Sequence, residues 1–234
     1  MSEPRTMVLV GASGLVGTRV LEEALGRTDL RVVALGRRAF PLPMGGRSQL
    51  VVCEPSRWGE AIADIAPDTL ACAVGTTWQK AGESEEEFRA VDQELVLATA
   101  QAAREAEVPQ WIAVSAAGAN RHLRDDLYLQ VKGEVEDALI KMKFRRLDIM
   151  RPGLLRGPRG GDRRLGERLN IVASPVIDLL RQGGLSGNRS IRAREVARGI
   201  LQLAREKAAG RFIHDNEAIH RAARRLPPLD DENT

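Results

Sequence analysis

A single tyrosine, Tyr128, precedes Lys132 by four positions. On a helix this spacing brings both side chains to one face. A nearby ammonium favours the ionised form of a phenol, whose ordinary pKa is about 10, and makes the tyrosine usable as an acid or base near neutrality. The pair therefore predicts proton transfer at this helix. The alternative interpretation is an exposed tyrosine at the start of an ordinary helix.

Ser115 ends the predicted strand before that helix. The carboxyl ends of parallel strands form the ligand crevice of such sheets, so a serine there can hydrogen-bond a substrate carbonyl. We assign Ser115, Tyr128 and Lys132 as the candidate catalytic residues.

Three glycines, Gly11, Gly14 and Gly17, are spaced three apart between the first predicted strand and the first predicted helix. In a dinucleotide-binding turn, such glycines provide a tight turn, close approach of a pyrophosphate and close packing of helix on strand. The helix amides then face the phosphates with the helix dipole behind them. The alternative is a purely structural turn, but the flanking strand and helix are the context that a nucleotide site requires.

Arg37 and Arg38 follow the second predicted strand. An NAD site usually has an acid there to hold the ribose 2′-hydroxyl, whereas two guanidinium groups suit a 2′-phosphate. We therefore expect NADP as cofactor, with NADPH preferred over NADH. The alternative is a pair of solvated arginines in an arginine-rich chain.

Short apolar runs alternate with amphipathic stretches, which predicts an α/β fold with a doubly wound parallel sheet. The predicted strands are residues 7–10, 30–35, 49–53, 69–74, 110–115, 147–150 and 211–214. The predicted helices are residues 15–25, 58–65, 83–107, 127–142, 169–181 and 193–207. We expect one NAD(P)-binding domain over residues 1–225, in which residues 152–225 form a smaller substrate-side part, and a mobile tail over residues 226–234.

The composition excludes several classes of protein. With 43% hydrophobic residues, 35 Lys+Arg and 32 Asp+Glu, the chain has the balance of an ordinary globular protein. The sequence shows no membrane-spanning run and no leader, so we expect a cytoplasmic protein with no membrane partner. Scattered arginines without stacking aromatics predict no nucleic-acid partner. Cys53 and Cys72 cannot form a zinc site, and His214 and His220 lack a third ligand, so we expect no metal.

The glycine turn, the strand-end serine and the Tyr-x-x-x-Lys pair together resemble the short-chain dehydrogenase/reductase superfamily, of the extended or atypical kind. Residues 127–136, 75–82, 37–38 and 151–155 resemble more closely its Tat-interacting-protein-like oxidoreductases. The resemblance implies a Rossmann fold of about seven parallel strands that binds NADPH. It implies Tyr128 as proton donor, Lys132 as holder of the ribose and Ser115 as the residue that orients the substrate.

The resemblance also implies further cofactor contacts. It places Ser13, Leu15 and Val16 near the phosphates, Val74 and Gly75 beside the adenosine ribose, and Gly153, Leu154 and Leu155 along the nicotinamide amide. Two departures from the family pattern concern single positions. One serine stands where relatives often have two, and Cys53-Glu54 replaces the aspartate that commonly caps the adenine.

The leading functional hypothesis is an NADPH-dependent oxidoreductase that reduces a small-molecule carbonyl or oxidises the reverse alcohol. The alternatives are an NADPH-binding redox sensor that acts on a protein partner, and a nucleotide-sugar epimerase or dehydratase. The loop of residues 157–168 carries four arginines and could be a lid for an anionic substrate or a solvated loop. A homodimer through residues 83–107 and 127–142 is also expected, unless the apolar stretch of residues 95–100 faces its own sheet.

Overall fold

The computed structural model describes residues 3–157 and 190–229. Its strands are β1 (Arg5–Val10), β2 (Leu30–Gly36), β3 (Gln49–Val52), β4 (Thr69–Cys72), β5 (Gln110–Val114), β6 (Arg146–Met150), β7 (Leu155–Arg156), β8 (Ile191–Arg192) and β9 (Gly210–His214). Its helices are α1 (Leu15–Glu23), α2 (Trp58–Ile65), α3 (Glu85–Arg89), α4 (Leu95–Glu105), α5 (Leu127–Lys141), α6 (Ala193–Leu203) and α7 (Asn216–Arg225).

Seven strands form one parallel sheet in the order β3-β2-β1-β4-β5-β6-β9, and β7 and β8 form a separate two-stranded pair. This architecture confirms the predicted doubly wound α/β fold. The chain order reverses between β1 and β4, and ligands of such sheets bind at this switch point, beyond the carboxyl ends of the strands.

The strands are apolar because both faces of the sheet are covered. Met7 and Leu9 of β1 are buried on one face with residues of α1, α6 and α7. Val8 and Val10 are buried on the other face with residues of α2, α4 and α5. Residues 190–229 thus share the sheet and the core of residues 3–157.

The predicted helix over residues 83–107 is interrupted. A π-helical turn, Ala90–Glu94, separates α3 from α4, and it contains the fully buried Asp92. Strands β4 and β5 also end before the predicted limits, so Ser115 follows its strand. Helix α7 was not predicted; Asp215 caps it by accepting a 2.8 Å hydrogen bond from the Ala218 amide.

The first residues of the expected mobile tail are packed against the protein. Leu226 is 2% exposed, and Arg27 Nη1 donates to the carbonyl oxygen of Pro227 over 3.2 Å. Leu226 and Pro227 are therefore tied to the body, whereas residues 228–229 are exposed, and mobility of the tail stays a prediction. The predicted helix 169–181, the four arginines of the proposed lid and residues 230–234 lie outside the described residues.

The apolar stretch on α4 packs mostly on its own sheet. Val96 and Ala100 are buried in the same core as Val8 of β1, and Leu97 is partly buried against it. This stretch therefore gives little apolar surface to a second copy, and the homodimer stays a prediction. Over the described ranges, no helix combines the length and apolarity needed to cross a bilayer.

Candidate cofactor and catalytic site

The glycine turn after β1 is packed so closely that side chains are excluded at two positions. Gly11 has a φ of +82°, and a Cβ atom there would lie 2.5 Å from the carbonyl carbon of Ala73. A Cβ atom on Gly17 would overlap the carbonyl oxygen of Gly11. The end of β4 and the start of α1 therefore both pack directly on this turn.

The amino end of α1 is suited to a phosphate. Gly14 is the N-cap residue, and among the described residues no side chain accepts a hydrogen bond from the first turn, which contains no acid. Ser13 and Gly14 are exposed, and Leu15 is half-buried. The side chain of Val16 lies in the core, so only its backbone can face a ligand. Uncapped amides with the helix dipole behind them fit a pyrophosphate.

Arg37 and Arg38 are exposed just beyond the carboxyl end of β2, the strand next to β1. Within the described ranges neither guanidinium has a carboxylate partner. Glu54 is also exposed beyond β3. The two arginines are therefore free to pair with an anion on the adenosine side of the turn.

The loop after β4 is tied to the π-helical turn. Val74 is half-buried and Gly75 is exposed, as expected for backbone that lines a crevice. The next amide, that of Thr76, donates to Asp92 Oδ2 over 2.7 Å. Asp92 thus fixes the backbone at the predicted ribose contact.

The structure brings Tyr128 and Lys132 together on α5. Lys132 Nζ lies 5.8 Å from the centroid of the tyrosine ring and 2.8 Å from Asp92 Oδ1. Asp126 caps α5 by accepting from the Leu129 amide over 3.0 Å. Gly133 lets α5 pack on the preceding loop, because a Cβ atom there would overlap the Arg121 amide. The pair is therefore held on a rigid helix.

Electrostatics differ from the sequence-based expectation. Burial disfavours the Lys132 ammonium, but the charge and hydrogen bond of Asp92, together with Tyr128, outweigh burial and raise the pKa of Lys132. Burial also raises the pKa of Tyr128; Lys132 acts in the opposite direction, and Asp92 adds to the increase. The pKa of Tyr128 is therefore raised and not lowered as expected, because burial, with smaller contributions from Asp92 and Asp126, outweighs the lysine charge.

Ser115 lies beyond β5, but its hydroxyl points to a carboxylate. Ser115 Oγ donates to Glu136 Oε1, and Arg151 Nε donates to the same oxygen over 3.0 Å. Ser115 and Glu136 are both buried. A carboxylate paired with a guanidinium only accepts hydrogen bonds, so the single hydroxyl proton of Ser115 is engaged. The serine oxygen can still accept a hydrogen bond from a substrate or phenol hydroxyl.

The segment after β6 is held by α7. The Gly153 amide donates to Asn216 Oδ1 over 2.8 Å, and the Leu154 carbonyl accepts from the Ile191 amide over 2.9 Å. Gly153, Leu154 and Leu155 are half-buried. Backbone groups of this segment therefore border the crevice beyond β6, where a nicotinamide amide was expected.

The charged partners Asp92, Glu136 and Arg151 were not predicted from the sequence as site residues. Glu136 follows Lys132 by four positions, so the spacing that singled out Tyr128 and Lys132 also marks it. Asp92 carries no such signal, because it lies inside a stretch predicted as a continuous helix.

The two C-terminal histidines are engaged in side-chain pairs. His214 Nε2 lies 2.9 Å from Asp148 Oδ1, and His220 Nδ1 lies 3.0 Å from Glu195 Oε2. Residues 3–157 and 190–229 contain no cluster of three or more metal-ligating side chains.

The fold and the turn define a class of NAD(P)-binding proteins. A profile of the family described as NAD(P)H-binding matches residues 11–207, and the chain belongs to this family. This membership agrees with the resemblance inferred from its motifs, which implies an atypical short-chain dehydrogenase/reductase that binds NAD(P).

Relatives and structural neighbours support this assignment. The chain is 31% identical to "Protein FMP52, mitochondrial" of Candida albicans over 208 residues, 86% of this chain and 89% of that protein. It is 32% identical to the protein of the same name in Saccharomyces cerevisiae, over 71% of this chain and 73% of that protein.

Solved structures show the same fold at low identity. MoeE5 in complex with UDP-glucuronic acid and NAD has a TM-score of 0.65 at 17% identity, covering 89% of this chain and 75% of that chain. UDP-N-acetylglucosamine 4-epimerase from Bacillus cereus has a TM-score of 0.64 at 14% identity, covering 94% and 82%. The TM-scores show a shared fold, and at such low sequence identity they do not indicate a substrate.

The comparison corrects the expected location. Relatives from several fungi are named mitochondrial, which contradicts the cytoplasmic assignment. That assignment was drawn from the lack of a membrane-spanning run and of a basic-then-apolar leader, and these features do not distinguish one aqueous compartment from another.

Proposed function

We propose that the protein is an NADPH-dependent oxidoreductase that reduces a carbonyl group, with Tyr128 as proton donor. One observation carries the proposal: the single tyrosine and Lys132 lie together on α5, which follows β5 and borders the switch-point crevice. A phenol there can reach a substrate bound beyond the strand ends, beside a dinucleotide on the glycine turn.

A reduced nicotinamide, when bound, supplies the hydride that forms the new C–H bond as the carbonyl π electrons move to oxygen. Tyr128 then gives its hydroxyl proton to that oxygen, and the O–H bond of the alcohol forms. The resulting phenolate is stabilised by the Lys132 ammonium and regains a proton from water. Lys132 also holds the ribose, and Ser115 contributes an acceptor beside the reacting oxygen.

The preference for NADPH is supported by the two arginines beyond β2. Arg37 and Arg38 are exposed and lack carboxylate partners in the part of the chain that the structure describes. Charge-assisted hydrogen bonds to a 2′-phosphate would form without breaking an existing ion pair.

A second candidate, an NADPH-binding regulator with little turnover, is favoured by the contact between Ser115 and Glu136. Because that contact engages the serine proton, the site lacks the carbonyl donor expected of Ser115. Under this alternative Tyr128 and Lys132 serve the cofactor alone.

The two functions are separated by assaying the purified protein for NADPH oxidation with ketones, aldehydes and quinones. The proposal predicts saturable turnover with at least one class of carbonyl. Tight NADPH binding without turnover on any member of the panel would contradict the oxidoreductase and favour the regulator.

A further inference from the structure

Asp92 is a fully buried carboxylate that joins two parts of the site. It is 0% exposed, its Oδ1 lies 2.8 Å from Lys132 Nζ and its Oδ2 accepts from the Thr76 amide over 2.7 Å. The π-helical turn closes with the Leu95 amide bonded to the Ala90 carbonyl, and π turns are frequent at functional sites. Asp92 therefore spans from the lysine of α5 to the loop after β4.

We propose that Asp92 is a positioning residue that offsets part of the charge of the Lys132 ammonium and so, together with burial of the ring, favours Tyr128 as the protonated phenol that donates a proton. The consequence for catalysis rests on the proposed function. The effect of Asp92 on the protonation of Tyr128 does not rest on the proposed function, because it is a property of the protein without cofactor or substrate.

The groups around the phenol support this link. Lys132 faces Tyr128 from its own helix, Asp126 from the helix cap and Asp92 from the π-helical turn. Cys72 of β4 faces Lys132, and burial raises the pKa of its thiol to about 11, so it carries no charge near neutrality. The uncharged ring of Phe88 packs 6.1 Å from the Tyr128 ring, measured between centroids.

In this set the positive charge of Lys132 is matched at 2.8 Å by Asp92. If the carboxylate charge were removed, the buried ammonium would favour phenolate, and an opposite charge within a few ångströms shifts such a pKa by about 1–3 units. The phenol donates its proton to the carbonyl oxygen during reduction, whereas alcohol oxidation needs the phenolate to remove one. Asp92 therefore widens the pH range over which Tyr128 is the proton-donating phenol that reduction requires.

The single tyrosine makes the test direct, because phenolate absorbance in the ultraviolet reports only Tyr128. The cofactor-free protein is titrated with base as wild type, as Asp92→Asn and as the control Asp137→Asn. The asparagine oxygen can still accept from the Thr76 amide. Asp137 is a half-buried residue of α5 that pairs with Arg121 over 2.6 Å.

We expect the wild-type midpoint to lie above the ordinary phenol value of about 10. Asp92→Asn should lower it by about one pH unit or more, and Asp137→Asn should leave it unchanged. An unchanged or higher midpoint in Asp92→Asn would overturn the proposal, as would a wild-type midpoint below the ordinary value.

A double variant, Asp92→Asn with Lys132→Met, keeps the test decisive if the single variant does not fold. Removing both charges leaves no unpaired buried ion. Its midpoint should stay high, and a midpoint well below wild type would contradict the proposal. The titrations do not require turnover. If the protein had no activity, the proposed oxidoreductase function would be wrong, but the titrations would still test the proposal about Asp92.

Discussion

The hydroxyl of Ser115 donates its hydrogen bond to Glu136, a buried carboxylate of α5 that also pairs with Arg151. The serine proton is thus directed away from the place where a carbonyl oxygen would be bound. The contact with Glu136 therefore leaves the Ser115 oxygen as a hydrogen-bond acceptor in the crevice.

Ser115→Ala should therefore damage catalysis less than loss of the proton donor. Loss of a hydrogen-bond donor to the reacting oxygen costs about 10²–10³ in turnover, and we expect only about a tenfold loss here because the serine does not donate to it. Turnover of Ser56→Ala, an exposed serine, provides the control. A loss as large as that of Tyr128→Phe would show that Ser115 donates to the substrate after all.

The protein should bind NADPH at least about tenfold more tightly than NADH, since charge-assisted hydrogen bonds contribute about 1.5–3 kcal/mol each at best. Titration followed by tryptophan fluorescence measures both affinities. The double variant Arg37→Ala with Arg38→Ala should abolish the preference. Arg211→Ala, an exposed arginine on the edge strand β9, should retain it. Equal affinity for both cofactors in the wild type would contradict the assignment.

Lys132→Met should lose both turnover and NADPH affinity, because the ammonium serves the phenolate and the ribose. It should also lower the free energy of unfolding by about 3–5 kcal/mol, since Asp92 would remain buried and unpaired. Urea denaturation and cofactor titration measure the two effects separately. If the variant bound NADPH as tightly as wild type, the ribose contact would be wrong.

The free energy of unfolding should depend on pH through the ionisation of Asp148. Burial disfavours its carboxylate, but hydrogen bonds from His214, Arg146 and Gln110 outweigh burial and lower its pKa. A lowered folded-state pKa gives stability that is present above the ordinary value of about 4 and is lost as the pH falls through the folded-state value.

Asp148→Asn should therefore reduce the free energy of unfolding by about 3–5 kcal/mol at pH about 7, as breaking a buried pair does. The difference in the free energy of unfolding between Asp148→Asn and the wild type should become smaller below pH about 4. Urea denaturation across this range measures the difference, with Asp137→Asn, a change at a half-buried ion pair of α5, as control. If the difference in the free energy of unfolding increased as the pH fell, the predicted role of Asp148 would be wrong.

The parts of the fold and site that could be predicted from the sequence are those determined by residues close together in the chain. The role of Gly11, Gly14 and Gly17 depends on one local turn, and the proximity of Tyr128 and Lys132 depends on one helical spacing. Alternating apolar runs were enough for the doubly wound sheet, because each strand is buried on both faces.

Long-range partners could not be predicted in this way. Asp92 binds the Thr76 amide and Lys132, which lie on opposite sides of it in the sequence, and a π-helical turn brings it inward. The direction of the Ser115 hydroxyl depends on Arg151, which reaches Glu136 only after β6 is paired with β5. No local periodicity encodes such contacts.

The central claim is that Tyr128 donates the proton during NADPH-dependent reduction. Its most direct test is the rate of NADPH oxidation by Tyr128→Phe, measured on a substrate that the wild type reduces, with NADPH affinity measured in parallel. Phenylalanine keeps the ring and removes the transferable proton, so turnover should fall about 10²-fold or more while affinity is nearly unchanged. Wild-type turnover in Tyr128→Phe would contradict the account.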